Sequence, residues 1–175
     1  MNSTATTMNA GTVAPRRSLA GKIGVGAGLT LRYLYGLFFM FASYSKWSNG
    51  LPFSDRWTVE TFQGRLLELD PEVTSGAVGI WFLENFGLPY SGILSWIIAL
   101  SWTAVAIGLL LGLMTRTAAL LGAFICVMIG VGGFYDASLI PLVIIPLIIA
   151  ALPTGHWFGL DRGLNRKHPG SIWFR

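Results

Sequence analysis

The stretch from Leu29 to Trp47, LTLRYLYGLFFMFASYSKW, limits what this chain can fold into more than any other. It is apolar enough to enter a bilayer, yet it carries Arg32 near one end and Lys46 at the other. On a helix turning 100° per residue, Arg32, Tyr35, Gly36, Phe39, Ser43 and Lys46 share one side. Leu34, Leu37, Phe38, Met40 and Phe41 take the opposite faces. The two cationic residues are then roughly 21 Å apart along the axis, less than a hydrocarbon core of about 30 Å. Each head group must snorkel outward or find a partner. A greasy helix with one polar stripe needs neighbours to cover that stripe.

The rest of the chain supplies them. Of its 175 residues 53% are hydrophobic and only 11% charged, with a mean hydropathy of +0.61. That fits an integral membrane protein and leaves too little polar surface to cover a soluble core. We expect an all-α membrane domain over residues 21–165, with four spans at about 29–47, 90–113, 117–133 and 137–157. Residues 1–20 read as a mobile tail and 166–175 as a basic tail. The first span reads as uncleaved, because its apolar part is too long for a signal peptide and holds Arg32. Gly108-x-x-x-Gly112 in the second span and Ala118, Gly122, Ala123 and Cys126 in the third mark small faces for close helix approach. The fourth span carries Pro141, Pro146 and Pro153, which predicts kinks where neighbours satisfy freed carbonyls.

Between the first two spans, Ser48 to Pro89 offers two short helical patterns, Ser54–Leu69 and Gly76–Phe86. Ser54 or Asp55 is the expected cap of the first, with Trp57, Phe62, Leu66 and Leu69 near one side. The second groups Val78, Ile80, Trp81 and Leu83. Both suit amphipathic pieces lying on the membrane or capping the bundle. This loop holds six acids against Arg56 and Arg65, with Lys46 at its edge, whereas Arg16, Arg17, Lys22, Arg116, Arg162, Arg166, Lys167 and Arg175, against Asp161, fall on the other side of a four-span bundle. The positive-inside rule then puts both termini in the cytoplasm and the loop outside. The basic excess is thus a topology signal, with no nucleic-acid partner implied.

Chemistry is sparse. The only histidines, His156 and His168, fall at the cytoplasmic end, so one chain cannot clamp a haem between two imidazoles. No cluster has metal-ligand spacing, and Gly24, Gly26 and Gly28 precede a span rather than follow a strand. No haem, metal or flavin is expected on this chain alone. Cys126 reads as a small packing residue. Arg32 either snorkels or pairs with Asp161 or a ligand, and Arg116 joins them in a cytoplasmic polar network. His156 is either a proton relay or an ordinary interfacial histidine beside Trp157. On the outer face Lys46 and Asp136 either pair or are solvated. Arg56 and Arg65 either receive an anion or are simply hydrated.

The segments LRYLYGLFFMFASYSKW, LGLMTRTAALLGA and GHWFGLDRGL together resemble the DoxX-like membrane family. The long first loop looks most like its DoxD branch, the small subunit of thiosulfate:quinone oxidoreductase. The match covers roughly residues 29–165 and touches Arg32, Gly36, Lys46, Gly112, Thr115, Arg116, Gly122, Gly155, His156, Gly159, Asp161 and Arg162. It implies a subunit in a prokaryotic inner membrane, working with lipid and a second protein subunit, that passes electrons from a thiosulfate-type substrate to quinone. The quinone site is then expected along the stripe, from Arg32, Tyr35, Phe39 and Ser43, with His156. A stripe that merely packs against the glycine-bearing faces of the second and third spans is the other reading. It goes with a non-catalytic structural or assembly subunit of a larger membrane complex.

Overall fold

The computed structural model describes the backbone of residues 19–167 and the side chains from residue 23 onward, His156 excepted. The remaining parts of both expected tails, with His168, lie outside the described residues. Among those described there is no strand. The helices are α1 (Leu19–Ser48), α2 (Arg56–Glu68), α3 (Thr74–Phe82), α4 (Ser91–Leu111), α5 (Thr115–Val131), α6 (Leu139–Ala151), α7 (Thr154–Trp157) and α8 (Asp161–Lys167). A π-helical turn, Leu83–Gly87, continues α3.

Two helices are long and apolar enough to cross a membrane, Ile23–Ser48 and Ser91–Leu111. They pack along each other, α5 packs along α6, and α4 against α5 joins the two pairs. At the ordinary helical rise the 17 residues of α5 and the 13 of α6 reach only about 26 and 20 Å. The expected helix over 137–157 is therefore divided. Leu152 is extended (ψ 142°) because the ring of Pro153 disfavours helical backbone before it. Pro141 lies in the first turn of α6, where its missing N–H costs nothing. Around the bundle Leu34, Phe41, Ile93, Ile97, Phe124 and Ile140 are exposed, an apolar belt that water would not tolerate.

The core is the α1 stripe. Phe39 is fully buried, 4.7 Å from the Trp102 ring and 5.0 Å from Tyr35. A side chain at Gly122 of α5 would crowd Tyr35 and Val105 and touch Phe39, so the glycine lets the Tyr35 ring approach the α5 backbone. Ala118, Ala123 and Cys126 complete that small face. In α3 and its π turn the buried line is Gly76, Gly79, Leu83 and Gly87, while Val78 and Trp81 turn outward. The expected apolar face of this segment is thereby split, because glycines permit the closer contact.

Candidate functional site

The stripe residues are committed to the protein itself. Pro146, inside α6, has no N–H to give the carbonyl of Leu142 one turn back. The Tyr35 hydroxyl supplies the missing donor, 2.7 Å from Leu142 O, and lies 3.6 Å from Cys126 Sγ. Ser43 shares a 2.7 Å hydrogen bond with Thr103 of α4, which also accepts Trp47 Nε1 at 3.0 Å. Tyr35, Phe39 and Ser43 are thus brought together as packing and hydrogen-bonding elements between α1, α4, α5 and α6. Of the other two members of that set, Arg32 lies at the α7 end, and the side chain of His156 lies outside the described residues.

At the α7 end two charges are buried, Arg32 at 0% and Asp161 at 2% exposure. They do not form the expected ion pair. Met114 (φ 47°) precedes α5 without a side-chain cap, so the first amide N–H donors of that helix get no acceptor from the capping residue. Asp161 fills the role from 47 residues away. Its Oδ1 accepts Met114 N at 2.7 Å, and its Oδ2 accepts Thr115 N at 2.9 Å and Thr115 Oγ1 at 2.8 Å. A carboxylate at a helix N-terminus also meets the positive end of the helix dipole. With both oxygens taken, Arg32 turns elsewhere: Nη1 donates to Thr154 O at 2.8 Å, and the guanidinium lies 4.6 Å from the centre of the Tyr33 ring. Arg32 Nε and Nη2, Thr154 Oγ1 and Arg116 Nε are buried with no hydrogen-bond partner among the described residues.

Backbone closes this end. Leu160 N and Asp161 N donate to Leu111 O and Gly112 O. Gly112 ends α4 at φ 64°, and a Cβ on Gly159 would lie 2.8 Å from Gly112 Cα, so neither position has room for a side chain. On the flank of this closure is a groove of about 470 Å³, lined by Tyr33, Leu110, Leu111, Trp157, Phe158 and Arg162, among others. In the sequence Trp157 stands out only as an indole beside His156, and Tyr33 and Phe158 do not stand out. The available signal was aromatic residues beside Arg32 at one helix end and beside Arg162 in the segment that returns to it.

The α2 end is built differently. Lys46 Nζ sits 3.9 Å from the Trp57 ring centre and 5.4 Å from that of Trp102, not on Asp136. Asp136 takes the Ser138 hydroxyl at 2.9 Å, which with the Ser138 backbone holds its carboxyl below the usual value. Arg56 pairs with Glu60 at 2.8 Å in water, which raises the guanidinium above its ordinary value. Arg65 reaches Glu68 at 2.7 Å and donates through Nε and Nη2 to Gly133 O, stapling α2 to the α5–α6 turn. Asp55 precedes α2 without capping it and instead accepts Ser91 Oγ at 2.9 Å. Thr58 and Ser95, buried and 2.7 Å apart, complete the joint between α2 and α4. Among the described residues no three His, Cys, Asp or Glu side chains gather as a metal site.

No curated protein and no solved structure matches the chain. The DoxX family model matches residues 27–133, from α1 through α5. The segment GHWFGLDRGL, which also carries the resemblance, lies beyond that match. With more than half of its 175 residues matched, and with two helices able to cross a membrane, the chain belongs to the DoxX family.

Proposed function

We propose that the chain is the membrane subunit of a DoxD-like oxidoreductase and that it receives membrane quinone in the groove beside Tyr33, Trp157 and Arg162. In this reading it spans a prokaryotic inner membrane four times, with the α7 end cytoplasmic. Arg116, Arg162, Arg166 and Lys167 favour that orientation, as does the acidic loop at the other end. α5 and α6 are short spans, accommodated by local thinning and by the turns that extend them. A partner subunit oxidises the sulfur substrate, of thiosulfate type, and delivers the electrons.

The groove is the observation that carries the reading. A quinone needs an apolar slot and a few donors for its carbonyl oxygens. Leu110, Leu111 and Phe158 offer the slot. The Tyr33 hydroxyl, the Trp157 indole N–H and the Arg162 guanidinium offer donors. Conversion to quinol takes two electrons and two protons. A guanidinium stays charged and gives up none, so water at the open groove delivers them.

The assembly-subunit reading is favoured by one observation, that Tyr35 and Ser43 already have protein partners. One experiment separates the two. In the purified partner complex, Trp157→Leu and Arg162→Gln should raise the KM for quinone several-fold, and a quinone analogue should raise the Tm of the parent protein. Full electron transfer in both variants, with no analogue-induced shift, leaves the assembly reading in its place.

A further inference from the structure

At the opposite end a second groove, of about 610 Å³, opens between the α1–α2 connection and the first turns of α4. Phe53, Asp55, Gly92, Ile93 and Trp96 are among its lining residues. We propose that it seats the primary ammonium headgroup of an aminophospholipid. Four observations lead there.

The first is an anchored carboxylate. Asp55 Oδ2 is fixed by the Ser91 hydroxyl, while its other oxygen makes no hydrogen bond to a described residue. The second is a corner of ring faces. Phe53 and Trp96 stand edge to face with centres 5.6 Å apart, and they are 80% and 46% exposed. Two such rings beside a carboxylate attract an organic cation by charge and by the ring quadrupole together. The third is the charge around them. The Ser48–Pro89 segment holds six acids and two arginines. Both arginines have other partners, Arg56 on Glu60 and Arg65 on Glu68 and Gly133 O. No cation of this segment neutralises Asp55.

The fourth observation names the rest of the ligand. Ile93, Ile97 and Leu100 are 62%, 55% and 52% exposed, and with Trp96 they form one ridge running from the groove along α4. A soluble amine would use the carboxylate and ignore the ridge. An anionic lipid would use the ridge and be repelled by the carboxylate. A lipid with a primary ammonium uses both, its three N–H donors at Asp55 and an acyl chain on the ridge. The indoles of Trp47 and Trp96 mark this depth as the headgroup level.

Gly92 makes the proposal testable without harming the fold. A Cβ there meets nothing within 4 Å, so Gly92→Leu fills the groove, and leucine is the better helix former. Asp55→Asn keeps an acceptor for Ser91 and removes the charge. The purified protein in detergent is titrated with short-chain phosphatidylethanolamine, phosphatidylglycerol or free ethanolamine, reading Tm and retained lipid by native mass spectrometry. Phosphatidylethanolamine should raise the parent Tm by several degrees and remain bound. Both variants, with unliganded Tm near the parent's, should lose most of that shift. An equal shift with phosphatidylglycerol, an equal shift with ethanolamine alone, or an undiminished shift in Gly92→Leu overturns the proposal. The quinone groove is at the other end, so failure here leaves that reading untouched.

Discussion

The two ends of this bundle hold their charges by opposite means. At the α7 end, Asp161 and Arg32 are fully buried and bonded mostly to main chain, three donors to the carboxylate and one carbonyl to the guanidinium. At the α2 end, Lys46 lies on indole rings and Arg56 pairs in water. A buried charge tied to backbone is costly to remove, because its partners are left in a place water cannot reach. A charge on a ring or in solvent leaves little behind. Charge removal should therefore cost much at one end and little at the other.

The sharpest test of that difference is Asp161→Ala. It leaves two amides and a hydroxyl without an acceptor and should destabilise the protein by about 3–5 kcal/mol. Thermal or denaturant unfolding in detergent measures it. Thr115→Val, which removes one of the three bonds, should cost only about 1 kcal/mol. Equal losses would mean that the carboxylate is not the cap of α5. Midway between the ends, Tyr35→Phe should cost about 1–2 kcal/mol by orphaning the Leu142 carbonyl. Pro146→Ala restores the backbone donor, so in that background the same substitution should cost clearly less. Strict additivity would show that the hydroxyl serves something other than the proline gap. The smallest effect belongs to the α2 end. Lys46→Met should cost about 1 kcal/mol or less, the scale of a cation on aromatic faces, and Arg56→Ala should leave the Tm unchanged. A Lys46 loss rivalling that of Asp161 would erase the contrast.

Much of this was legible in the residues. The polar stripe of α1, the small face of α5 and the two short helices of the loop follow from periodicity, and Arg32 and Asp161 stand out as charges among apolar neighbours. Their partners were not legible. Amides of Met114 and Thr115, or a carbonyl of Thr154, exist at every position of any chain, so a sequence offers no reason to choose them over an opposite charge. Lys46 is a related case: the Trp57 and Trp102 rings reach it from two other helices. The proline gap shows the reverse case. Pro146 predicts an unpaired carbonyl, and only the fold tells that the hydroxyl comes from α1.

Capping α5 from residue 161 also has a consequence in time. A chain emerging from the ribosome presents the start of α5 well before Asp161 exists. Until Asp161 arrives, Met114 and Thr115 have no acceptor from it, and the turn after α4 lacks the pairing that Leu160 and Asp161 bring to it. A segment made later is thus the clasp that finishes a helix made earlier. A chain stopped before it would retain its greasy helices, yet it would hold an open joint at the end where α4, α5 and the start of α8 should lock.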